Sequence, residues 1–166
     1  MPSKTMSALV GGLAGGLLVT VITLPQNDLL NCLACLMYAG CGLIAVWHYT
    51  DTNELTISGG EGVKLGALAG VVGGLVVGIL AILFRAIGVL PGAEDIMREM
   101  EESGALDQMG EMADFWISFI EFTAGPGSIL IGIPIAAVIS LAGGAIGAAL
   151  FKKGRGEDDV VVTDDA

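Results

Sequence analysis

Four long apolar stretches, separated by polar breaks, dominate the chain. They run from about 7 to 24, 29 to 49, 63 to 90 and 128 to 151. Crossing the hydrocarbon core of a bilayer takes about 20 apolar residues in an α-helix. Each stretch is therefore read as a transmembrane helix, since a lipid-exposed backbone has to satisfy its own hydrogen bonds. Continuous apolar runs without period-2 alternation exclude a membrane β-barrel. The pattern predicts an all-α membrane protein with four transmembrane helices.

The connections differ in kind. Pro25 closes the first span, and a very short polar break makes spans one and two an antiparallel hairpin. Spans three and four are joined by a segment too long for a simple turn. Within it, about 93–123, Ile96, Met97 and Met100 share one helical stripe. Ser103-Gly104 breaks that stripe. A second stripe carries Leu106, Met109, Met112, Trp116 and then Phe119 or Ile120. Phe115, Trp116 and Phe122 suit a membrane interface. One or two amphipathic helices lying on the outer membrane surface are expected there. Residues 154–166 form a short, acidic, Gly-interrupted tail, expected to be disordered and cytoplasmic.

Glycine changes the picture of how the spans pack. The chain has 26 of them. In span three Gly66, Gly70, Gly74 and Gly78 recur every four residues, and span four repeats the spacing with Gly132, Ala136, Ser140, Gly144 and Ala148. Span one has Gly11 and Gly15, with Gly12 and Gly16 beside them. Four-residue spacing places such residues on one helix face. In lipid, where no hydrophobic drive joins helices, small residues let backbones approach and gain van der Waals contact. Spans one, three and four are expected to pack through these faces, building the monomer's own bundle or an interface between copies.

Charge adds orientation and exclusions. The net charge is −11, with nine acids between Glu94 and Glu121. Such a chain lacks the basic face that nucleic acid demands. Lys4, Lys64 and the cluster Lys152, Lys153 and Arg155 fall on one side when both termini are cytoplasmic. Thr23-Leu24-Pro25 offers no small-x-small cleavage site, so the first run is expected to be a retained span.

Candidate chemistry is sparse. Cys32 and Cys35 form a C-x-x-C, which in a soluble redox protein suggests a thiol pair. Near an outer membrane face the two thiols can form a disulfide; packing as small apolar side chains is the alternative. Cys41 lies further along the same span. With three Cys and one His, no four-ligand zinc site is expected, and no cofactor is implied. His48 lies in Trp47-His48-Tyr49, read as interfacial anchors around a pH-sensitive group, with no partner at useful spacing. Arg85 is the basic residue within an apolar stretch; it is expected to snorkel outward or to pair with Glu94 or Asp95. Asn31 and Ser140 are candidates for hydrogen bonds between helices, and Pro134 for a kink. No span, so drawn, has Asp, Glu or Lys near its centre, which argues against an ion or proton pump. Gly11 to Gly16 lies inside a span with no strand before it, so it is no dinucleotide loop. Nothing has the form of a nucleophile with its base, and an enzyme is not expected.

The stretch from Asn31 to Gly78 has a Cys-containing span ending in aromatics, then Ser58-Gly59-Gly60-Glu61-Gly62, then a Gly-rich span. In this it resembles small, uncharacterised prokaryotic membrane proteins. The resemblance implies architecture and transfers no functional residue. A non-enzymatic protein serving assembly or partner binding is the leading expectation, its surroundings a lipid bilayer and copies of itself or another membrane protein. A small channel or transporter-like homo-oligomer and a membrane thiol protein are the alternatives.

Overall fold

The computed structural model describes residues 3–25 and 28–151, with the side chains of 28, 29, 31 and 32 left out. The acidic tail expected at 154–166 lies outside the described residues. The described chain is helical, with α1 at Lys4–Thr23, α2 at Asp28–Asn53, α3 at Gly59–Ala86, α4 at Ala93–Glu102 and α5 at Ala105–Met109. A 3-10 turn at Gly110–Met112 leads to α6 at Ala113–Ala124, and α7 spans Gly127–Leu150. Four helical segments are long and apolar enough to cross a membrane: Lys4–Thr23, Leu33–Asn53, Gly59–Ala86 and Gly127–Leu150.

Capping explains where these helices begin and stop. Ser3 and Ser58 accept hydrogen bonds from Met6 N and Glu61 N, so α1 and α3 start earlier than hydropathy alone suggests. α3 stops because Gly88 adopts φ 74°, with Val89 N donating back to the Phe84 carbonyl at 2.8 Å. Gly104, at φ 69°, separates α4 from α5. The continuous second stripe expected from Leu106 to Phe119 is not one helix. Gly110, at φ 54°, interrupts it, so Leu106 and Met109 belong to α5 while Trp116 belongs to α6.

α2 and α3 each pack against the other three long helices, while α1 and α7 flank them. α1 and α3 run in one direction; α2 and α7 run in the other. Buried positions are mostly small: Ala8, Cys41, Ala45, Ala69, Ala136, Ser140 and Ala148, with Val19, Val46 and Leu65. The outward face carries Leu13, Leu17, Leu68, Ile79, Leu130 and Val138, all exposed. Hydroxyls inside the spans are satisfied locally, as where Thr20 Oγ1 donates to the Gly16 carbonyl at 2.9 Å and Thr50 Oγ1 to that of Val46 at 3.0 Å.

Candidate functional site

The close-packed seam between α3 and α7 is built on missing side chains. A Cβ added at Gly62 would lie 2.5 Å from the Gly144 carbonyl oxygen, and one at Gly66 equally close to that of Ser140. Added at Gly70 it would meet the Ala136 carbonyl at 2.6 Å, at Gly74 the Ile133 Cα at 3.0 Å, and at Gly78 the Ile129 side chain at 2.7 Å. Gly144 itself abuts the Gly62 carbonyl. α2 enters the same crossing through Gly42, where a Cβ would meet the Ser140 carbonyl and, at 2.7 Å, the Gly144 nitrogen. Ser140 Oγ donates to the Tyr38 carbonyl at 2.8 Å, tying α7 to α2 inside the bundle.

Gly132 departs from its expected role. A Cβ there would meet nothing within 4 Å. A four-residue repeat drifts by about 40° per step on a helix of 3.6 residues per turn. The contact line on α7 corrects the drift by stepping from Ala136 to Ile133 and then Ile129, leaving Gly132 beside it.

α1 uses two stripes. Gly11 and Gly15 face α2, where a Cβ would meet Ala45 at 2.6 Å and the Cys41 thiol respectively. Gly12 and Gly16 face α3, at Val72 and Gly73. Cys41 is buried, with its Sγ 3.2 Å from a Cβ placed on Gly73. Cys35 is exposed. The proposed partner of Cys35, the Cys32 side chain, lies outside the described residues, as does that of Asn31.

At the end where α1 and α3 begin, the structure assembles a polar latch. Lys4 Nζ lies 2.6 Å from Glu61 Oε2, and Lys64 Nζ lies 3.4 Å from Glu61 Oε1. The Glu61 side chain is only 8% exposed, so its charge needs these partners. Ser7 Oγ and His48 Nδ1 are 3.0 Å apart, joining α1 to α2. His48 therefore does have a partner, supplied by hairpin register rather than sequence spacing. Tyr49 is not a surface anchor: it is 5% exposed and packs in a cluster with Ala8, Val46, Ile57 and Leu65. α2 continues to Asn53, which places Tyr49 a turn inside the helix end; Trp47 alone of the two aromatics faces outward. Sequence reasoning missed Glu61, although Ser58-x-x-Glu61 is a helix-start signature that places it inside α3.

The opposite end carries α4–α6. In α4 the apolar Ile96, Met97 and Met100 are half-buried, and the acids Glu94, Asp95, Glu99, Glu101 and Glu102 are exposed. α4 packs on α6, and α6 on α7. Asp95 caps the Gly92 amide at 3.1 Å and holds Arg98 Nη2 at 2.8 Å. It is thus engaged elsewhere, and the expected pairing of Arg85 with Glu94 or Asp95 is not formed among the described residues. Arg85 sits in the last turn of α3 with its Nε and Nη1 sheltered and without hydrogen-bond partners. On α6, Phe115, Trp116 and Phe119 form a plate of rings with centroids 5.7 to 6.2 Å apart.

Long apolar helices packed through small residues, with the ionic contacts of Lys4 and Lys64 to Glu61 at one end and Arg98–Asp95 in the short α4 beyond the other, define a helical bundle suited to a membrane. A family model describing a protein of unknown function, DUF4199, matches residues 7–153, and the chain belongs to that family. Neither curated proteins nor solved structures provide a match.

Proposed function

We propose that the protein is a non-enzymatic integral membrane scaffold whose bundle holds the acidic α4–α6 cap at one membrane face for assembly with a partner. The observation that carries this reading is the division of labour in the cap. Its apolar α4 side chains turn inward, and its row of carboxylates stays outward and exposed. The bundle interior supports the same reading, because backbone and small side chains fill it where a conducting path would need space.

Orientation follows from the basic residues. Lys4 and Lys64 meet at Glu61, and the chain continues past Phe151 at that end into Lys152, Lys153 and Arg155. The positive-inside tendency then puts both termini in the cytoplasm of a multi-pass cell-membrane protein and the cap outside.

Photo-crosslinking tests the proposal in native membranes. A photoreactive residue at Glu99 or Glu102 is expected to give a discrete protein adduct, and one at Leu130 none. Absence of adducts from the cap, or ion flux through the purified protein in vesicles, would displace the scaffold reading; flux would favour a small channel.

A further inference from the structure

The two faces of α6 are unlike. Ala113, Ile117, Ile120 and Ala124 are half-buried, on the side that packs toward α4 and α7. The other side presents Met112 at the entry to the helix, then Phe115, Trp116, Phe119 and Phe122, which are 62%, 37%, 39% and 49% exposed. Phe119 links the aromatics into one stripe, four residues from Phe115 and three from both Trp116 and Phe122. A ring plate of this size left in water is a large apolar surface.

What covers it is indicated by its neighbours. α6 runs directly into α7 through Gly125 and Pro126, and α7 continues the apolar surface with exposed Leu130, Ile135 and Val138. α3 adds exposed Leu83, Ile87 and Val89 where it ends. The aromatic plate therefore extends the belt that the long helices turn toward lipid, at the level where Trp and Phe favour the headgroup boundary. The charge of the cap then restricts the lipid. Interfacial helices commonly carry Lys and Arg on the polar face and gain from anionic headgroups. Here residues 93–124 carry nine acids against the single Arg98. An anionic surface would repel them.

We propose that α6 lies in the headgroup region of a bilayer with its aromatic face down, and that this docking selects electrically neutral, zwitterionic headgroups over anionic ones. The inference rests on the reading that the four long helices cross the membrane. Docking holds the plate in lipid and turns the α4 carboxylates toward water, which deepens the assembly role proposed for the cap.

The test uses the full chain carrying Trp47→Phe, which leaves Trp116 as the one remaining tryptophan of two. It is reconstituted in phosphatidylcholine vesicles whose acyl chains are brominated near the headgroup, and in the same vesicles with added phosphatidylglycerol. In neutral vesicles Trp116 emission is expected to fall about twofold, since bromines there reach the depth of interfacial tryptophan. Quenching is expected to weaken with phosphatidylglycerol at low salt and to return near 1 M salt, where the screening length is about 3 Å. A second variant, Trp47→Phe/Trp116→Phe/Leu130→Trp, reports instead on the exposed first turn of α7, at the depth of the bromines. Quenching at Leu130→Trp without quenching at Trp116 would overturn the docking and leave the membrane reading standing. Quenching at neither would overturn both. Stronger Trp116 quenching in anionic vesicles would overturn the lipid selection. Quenching that disappears as protein density rises would assign the plate to a second copy.

Discussion

The seam between α3 and α7 and the cap of α4–α6 hold helices together by opposite means. In the seam, contact depends on atoms that are not there: Gly62, Gly66, Gly70, Gly144 and their neighbours bring backbone against backbone. In the cap, contact depends on long side chains. Ile96, Met97 and Met100 cover one side of α4, and Ile117 and Ile120 are half-buried on the side of α6 that packs toward α4 and α7. The difference teaches where the fold is intolerant. A methyl group added at Gly62, Gly66, Gly70 or Gly144 has nowhere to go, because the nearest atom it meets is a backbone carbonyl rather than a flexible chain end. A side chain changed on the cap surface meets solvent or lipid.

The largest effect should come at the point where three helices cross. Gly144→Leu is expected to cost about 3 kcal/mol or more, at the upper end of overpacking penalties. Thermal unfolding in detergent would show it, and Gly132→Ala, a glycine with open space at its Cβ, should behave close to wild type. Equal stability of the two variants would remove the distinction between seam and surrounding surface.

Next comes the latch. Glu61→Gln removes a buried charge from between Lys4 and Lys64 and is expected to cost about 2 kcal/mol, less than for a fully buried pair because both lysines reach solvent. The check is the unfolding midpoint with and without high salt, the wild type losing more of its advantage as salt rises.

A gain is expected at Glu54, which holds φ 52° just after α2. Glu54→Gly relieves a left-handed conformation and should raise stability by about 1 kcal/mol in the same unfolding assay. Ser140→Ala, which removes the tie to the Tyr38 carbonyl, should cost only about 0.6 kcal/mol, the average for hydrogen bonds between membrane helices. Glu99→Gln, on the exposed side of α4, should leave the midpoint unchanged. A cap substitution that destabilises as much as Gly144→Leu would erase the contrast altogether.

Hydropathy made the four long helices legible, because an apolar run of span length has few alternatives. It placed the starts of α1 and α3 a few residues late for a physical reason. Lys4 and Glu61 read as charges outside their spans, whereas in the fold they pair with each other and the helices include them. The four-residue glycine spacing made the seam on α3 legible at every position from Gly66 to Gly78. On α7 it misled at Gly132, because rotation accumulates along a helix and the contact line takes a three-residue step to correct it. The Ser7–His48 contact was beyond sequence reading: its partners lie on different helices, and hairpin register decides whether they meet. Gly110 was visible in the sequence, but its positive φ, which splits the second amphipathic stripe, depends on how α5 and α6 are tied to their neighbours.

The Lys4–Glu61 pair also orders events in time. Two entire helices separate the partners along the chain, and a ribosome delivers Lys4 long before Glu61. α1 therefore has no carboxylate for Lys4 to pair with until α2 and the first residues of α3 have also been made. The mutual alignment of α1 and α3 is settled only when the third helix begins to emerge.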